Sequence, residues 1–133
     1  MPVKDVRLKA PVGLSVAADS SMMLVIRLTT AGVIARAGLT VDTMDNLKMA
    51  TEEACNCLIG QENPPERLSV CFACEDDDLV IRVRSDASEA MEGEMDETEL
   101  EIVRCILEAL CDSVDFDVQS GRIQSIELRK ALG

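Results

Sequence analysis

Two groups of residues in this chain have types and spacings that could do chemistry. Cys71-Phe-Ala-Cys74 has the C-x-x-C spacing of a zinc or redox pair. The run Glu52-Glu53-Ala54-Cys55-Asn56-Cys57 sets carboxylates, an amide and two thiols within two turns of one helical segment. In that segment Glu52 and Asn56 are four apart, as are Glu53 and Cys57, so each pair shares a helix face. Cys55 and Cys57 are two apart and do not. The surroundings of Cys71 and Cys74 read as a strand, where positions three apart point to opposite faces. The chain has no His, so a zinc site would need acids or four cysteines. The expectation for all six cysteines, which include Cys105 and Cys111, is reduced and mostly buried thiols that act as small apolar residues.

The elements that must position these residues can be read from periodicity. Val6–Leu8 reads as an edge-like first strand, interrupted by Pro11 and Gly13. Asp19, Ser20 or Ser21 can cap a helix whose stripe is Met22, Val25, Ile26, Thr29, Val33 and Ala37, with Gly38 as its stop. Gly32 inside that helix implies a close approach of another element. Thr40 caps a second helix, reaching Gly60, with Met44, Leu47, Thr51, Ala54 and Leu58 on its inner stripe. Arg67–Cys74 and Leu79–Ser85 form a hairpin around an acidic turn. The stretch 86–99 holds seven acids and no Lys or Arg, and reads as a loop. A third helix over 100–111 is apolar nearly all round, so it is expected to be largely buried. Val114–Gln119 and Ile123–Arg129 flank Ser120-Gly121 as a closing hairpin. This order predicts an α+β fold, a mainly antiparallel sheet covered on one face by helices. The 133 residues fit a single domain, residues 1–133.

Composition narrows the functional classes. The net charge of −12 argues against a nucleic-acid partner, which clustered Lys and Arg would bind; it accommodates a protein partner with a basic surface, or serves only to keep the protein in solution. No run of 18 apolar residues exists, so no membrane span is expected. The N-terminus lacks a signal pattern, which makes the expected location cytoplasmic.

The two stretches Ile26-Arg-Leu-Thr29 and Leu47-Lys-Met-Ala-Thr-Glu-Glu-Ala-Cys55, with the order of elements, resemble one family. That family is the bacterial anti-sigma factor serine-protein kinases of the GHKL, or histidine-kinase-like, ATPase superfamily. The resemblance implies a two-layer sandwich with ATP lying between helices and a lid, and it implies a homodimer. It also implies that Arg27, at the position of an Arg in the first helix, contacts a sigma factor or an anti-anti-sigma antagonist. The family's helix motif is Glu-Ala-x-x-Asn, with the Glu as general base on a protein serine and the Asn as a Mg²⁺ ligand. Glu53 and Ala54 match it, but Cys57 stands where the Asn should be, and a thiol is a poor magnesium ligand. Asn56 is one residue early. Shifting the motif by one would pair Asn56 with Glu52 as base and place Glu53 where the family has alanine.

The remaining nucleotide motifs are eroded too. Asp86 stands where the family's adenine-binding Asp is expected, yet neither glycine of Asp-x-Gly-x-Gly follows it, so it reads first as a solvated acid at a strand end. No Gly-x-Gly opens the third helix near 101–103, the lid segment is acidic, and the last hairpin has Gly121-Arg122 in place of Gly-Thr. The reading favoured on these losses is an anti-sigma-factor-like regulator that binds a partner protein, with no cofactor. An active ATP-dependent serine kinase using Mg-ATP, Glu53 and Asn56 is one alternative. A homo-oligomeric scaffold without a sigma partner is the other.

Overall fold

The computed structural model describes residues 8–61, 64–86 and 96–132. Five strands form one sheet: β1 (Val12–Ala17), β2 (Arg67–Glu75), β3 (Asp78–Asp86), β4 (Ser113–Gln119) and β5 (Arg122–Ala131). Their order is β1-β2-β3-β5-β4, and every neighbouring pair is antiparallel. Three helices cover one face: α1 (Met23–Arg36), α2 (Val41–Ile59) and α3 (Glu97–Leu110). This is the expected α+β, two-layer arrangement.

Local chemistry accounts for most boundaries. The Asp19 carboxylate accepts the Ser21 N–H and starts a 3-10 turn that runs into α1. Gly38 sits at φ 75°, where an L side chain is strained, and ends the α1 segment. Thr40 caps α2 by accepting the Thr43 N–H at 3.2 Å. The β2–β3 turn puts Asp76 and Asp77 at φ 51° and 68°, and the β4–β5 turn puts Ser120 and Gly121 at 55° and 69°. Both are left-handed two-residue turns, whose twist suits tight hairpins.

The core is aliphatic. Leu47, Ala50, Thr51, Ala54, Cys55 and Leu58 of α2 are buried against Leu68, Val70 and Phe72 of β2, Leu79, Ile81 and Val83 of β3, and Ile126 and Leu128 of β5. α2 is the central helix, flanked by α1 and α3 and lying over β3 and β5. The opposite sheet face is charged. Arg82 bridges Glu75 at 2.6 Å and Glu127 at 2.7 Å, and Arg129 reaches Glu127 and Asp78.

Four expectations change. The first strand is Val12–Ala17; Leu8 belongs to no strand, and Val6 lies outside the described residues. Pro11 precedes that strand, because a residue without an N–H is tolerated at a strand entrance, and Gly13 sits within it. The inner stripe of α1 is Met23, Ile26, Thr30, Val33 and Ile34, so Val25 turns outward. α3 is peripheral: only Leu107 is fully buried, while Ile102 and Ile106 are exposed. Among the described residues a Cβ at Gly32 would meet nothing within 4 Å, so no close approach there explains that glycine.

Of the stretch 86–99, Asp86 ends β3, residues 87–95 lie outside the described residues, and Asp96 caps α3 by accepting the Thr98 N–H at 2.9 Å. Glu97 and Glu99 then stand in the first turn of α3, where the helix dipole favours acids. Gly32 yields a direct prediction. Gly32→Ala stabilises the fold by about 1 kcal/mol through helix propensity alone. Denaturant unfolding checks this, and a destabilised variant shows that the position is crowded after all.

Candidate functional site

The site is built on α2, because its inner stripe fixes the direction of every other residue on it. With 100° per residue, Glu52 falls on the α1 side and Glu53 and Cys57 fall on the α3 side. The contacts agree. Arg27 Nε of α1 donates to Glu52 Oε1 at 2.8 Å, and the Arg27 guanidinium and Glu52 form an ion pair. On the other flank, Cys57 feels the carboxylates of both Glu53 and Glu99. Asn56 is exposed and points away from both seams.

The thiols of α2 are held protonated. Burial, then Glu53 and Glu99, pushes Cys57 up to about 11. Burial, then Glu52, pushes Cys55 up to about 12. A neutral thiol between two carboxylates is neither a nucleophile nor a ligand for a hard cation. Among the described residues no group of three or more Cys, Asp or Glu side chains is arranged to hold a metal ion. Cys71 and Cys74 do lie on opposite faces of β2, and all six cysteines are free. Only Cys55 and Cys111 are fully buried, and Cys105 is exposed, so the expectation of mostly buried thiols is met in part.

Asp86 does not face the helices. In the β2–β3 register Leu68 pairs with Ser85 and Arg67 with Asp86. Leu68 is on the core face, so Ser85 shares that face and Asp86 is on the charged one. There its carboxylate accepts the Ser69 hydroxyl and lies 3.7 Å from Arg84. At the strand end it is Ser85 that turns toward the helix layer. It is 9% exposed, and its hydroxyl is buried without a hydrogen-bond partner among the described residues. Sequence reading passed over Ser85, although the alternation Leu79, Ile81, Val83 continues directly into it.

The end of α2 is locked to the start of β5. The Gln61 amide accepts the Ile123 N–H at 2.8 Å and donates to the Ile123 carbonyl at 3.0 Å. Next to Ile123, Arg122 is 1% exposed. Gln61 and Arg122 were not singled out as site residues. A side-chain amide that completes a strand's hydrogen bonds leaves no mark in composition or period.

Arg27 itself is about half exposed, and it is surrounded on the outer side of α1 by Leu24, Val25 and Leu28, all exposed. Its helix is therefore apolar on both sides, with a cation set into the outer one. Glu53, Cys57 and Glu99 are brought together at the α2–α3 seam. Arg27, Glu52 and the α1 surface form a second cluster, and Asp86 belongs to neither.

The architecture is a known one. The chain is similar in fold to the crystal structure of the RsbU and RsbW domains of Rv1364c from Mycobacterium tuberculosis, with a TM-score of 0.72 at 12% sequence identity. The match covers 92% of this chain but only 32% of that one. No protein-family model matches the sequence, and no curated protein is similar to it in sequence. The class defined here is thus a five-stranded antiparallel α+β sandwich with the fold of that neighbour.

The thiols give a pH prediction. A group whose folded pKa is raised contributes stability below its ordinary value, 9.0 for a thiol, and that stability is lost as the pH climbs through the folded value. Global stability should therefore fall between pH 9.0 and about 12, by on the order of a few kcal/mol, with Cys55 contributing most. Denaturant unfolding across that range checks it. Cys55→Ala should flatten the fall, and an unchanged slope in that variant removes the thiol as its cause.

Proposed function

We propose that this chain is an anti-sigma-factor-like regulatory protein that grips a partner protein, with its ATP and magnesium site largely eroded. The observation that carries this reading is the outer face of α1. Leu24 and Leu28 are 58% and 63% exposed and flank Arg27. An Arg amid exposed aliphatic side chains has the make-up of an interface hot spot, a charge with an apolar surround that sheds water on contact. Arg27 is also the residue that the family resemblance assigns to a sigma factor or its antagonist. The fold shared with a chain carrying an RsbW domain is in keeping with this reading.

The residues present do not suit Mg-ATP. Where the family resemblance calls for a magnesium amide, this chain has the protonated thiol of Cys57. The strand-end position that faces the helices carries the Ser85 hydroxyl, not a carboxylate to accept an adenine amino group. Glu53 and Glu99 add negative charge at the seam, which repels a triphosphate. Glu53 keeps its place as the residue that would act as base in a kinase, but no phosphoryl donor is favoured next to it.

Two measurements test the proposal. Mg-ATP at about a hundredfold over a working dissociation constant would add roughly 2.7 kcal/mol, a shift of several degrees in Tm. The expected result is no shift, and a reproducible rise supports the kinase instead. In affinity capture from the source cell, Arg27→Glu should reduce recovery of the partner at least about tenfold, since loss of a hot-spot Arg costs roughly 2 kcal/mol or more. Unchanged recovery removes α1 as the gripping surface. Recovery of the chain itself and nothing else favours the scaffold.

A further inference from the structure

The geometry points to a second docking surface, the outer seam between α2 and α3, which receives a basic amphipathic helix from another protein. It lies apart from the α1 surface and does not rest on it. α2 ends beside Ile123 at the start of β5, through Gln61. α3 ends beside the far end of β5, where the Asp112 N–H donates to the Arg129 carbonyl at 2.9 Å. The two helices therefore run antiparallel, with the last turns of α2 beside the first turns of α3. One turn further along, Glu53 faces the level of Val103. Another turn brings Met49 and Ala50 to the level of Ile106 and Leu107.

Ala50 and Leu107 are the buried members at that level. Met49, Ile102 and Ile106 are the outer ones, 56%, 55% and 41% exposed. Ile102 and Ile106 thus line the α3 side of a groove between antiparallel helices, and Met49 stands beside it on the outer surface of α2, on the same face as Asn56. Such a groove seats a helix that presents apolar residues at i, i+3 or i+4 spacing.

Charge selects the occupant. α2 and α3 together carry eight acids and two bases, half of the chain's net charge of −12. By helical position Asp42, Glu53 and Glu99 fall on the seam side. Both bases are turned away and engaged. Lys48 pairs with Asp45 at 3.6 Å, and Arg104 lies 4.7 Å over the Phe116 ring of β4. An apolar groove with acids along it and no base favours a helix with Lys or Arg beside its apolar stripe, and it disfavours a second copy of this acidic chain.

The test uses the full chain and two fluorescent synthetic helices. One has Leu on one face and Lys on the other, and the second has Glu in place of Lys. The Leu/Lys helix should bind, more weakly as salt is raised, and the Leu/Glu helix should not. The double variant Ile102→Ser, Ile106→Ser should keep its melting point and bind the Leu/Lys helix about tenfold more weakly or worse. Val118→Ser, an exposed apolar position on β4, should bind it as before. The inference is overturned if the Leu/Lys helix does not bind, or if the Ile102 and Ile106 variant binds it equally well. It is also overturned if sedimentation shows self-association that the same two substitutions abolish, since a second copy would then be the occupant.

Discussion

The seat of α2 on the sheet is the constraint from which the rest of the arrangement follows. Ala50 and Ala54 are small enough to let the helix lie close over β3 and β5, while Leu47 and Leu58 anchor its two halves. Gln61 then ties its end to β5 through both amide groups. Once that stripe faces inward, the helix has no rotational freedom left. Glu52 must meet α1, and Glu53 and Cys57 must meet α3. A rotation of about 100° would carry Glu53 to the α1 side and drive Glu52 into the core, at a cost of several kcal/mol for a buried unpaired carboxylate.

The pleat of β3 imposes a second choice of the same kind. Leu79, Ile81 and Val83 commit the odd positions to the core, so the strand delivers Ser85 inward and Asp86 outward. Outward is where charge belongs in this sheet. The Arg82 guanidinium, shared between Glu75 and Glu127, is held firmly cationic, and its hydrogen bond keeps the Glu75 carboxyl below the usual range. Asp86 joins that face through Ser69 and Arg84. The carboxylate at the strand end is thus part of the solvated lattice, and a hydroxyl is left under the helices.

Much of this was legible in the sequence, and the failures have physical causes. The element order, both hairpins, the cap at Thr40 and the stop at Gly38 could be read because each rests on a local rule, whereas Asp19 was one of three candidates and caps the 3-10 turn ahead of α1. The stripe of α2 could be read because its outer face is polar. α1 could not be oriented, since Leu24, Val25 and Leu28 make its outer face as apolar as its inner one. α3 looked buried for the same reason: Ile102 and Ile106 count as core to any pattern, yet the helix sits at the rim of the sheet. Of the site, Glu53 and Cys57 were seen to share a helix face. That they meet Glu99, and that Ser85 replaces Asp86 on the inner side, depends on tertiary placement and pleat.

The misread helices and the proposed activity have one origin. Phosphoryl transfer needs polar groups that converge on a point. Here the polar groups near α2 diverge: Glu52 to one neighbour, Glu53 to the other, Asn56 to solvent, Asp86 to the far side of the sheet. Docking needs display, and apolar display is what the outer surfaces of α1 and of the α2–α3 seam provide. An aliphatic residue kept at the surface gains nothing for the isolated fold, because its burial free energy of roughly 1.5–3 kcal/mol is left unused. It is recovered only against a partner. The helices that defeat a reading of the core are therefore the ones whose outer faces are unspent, and on a chain this acidic the partner proposed for such faces is a basic one.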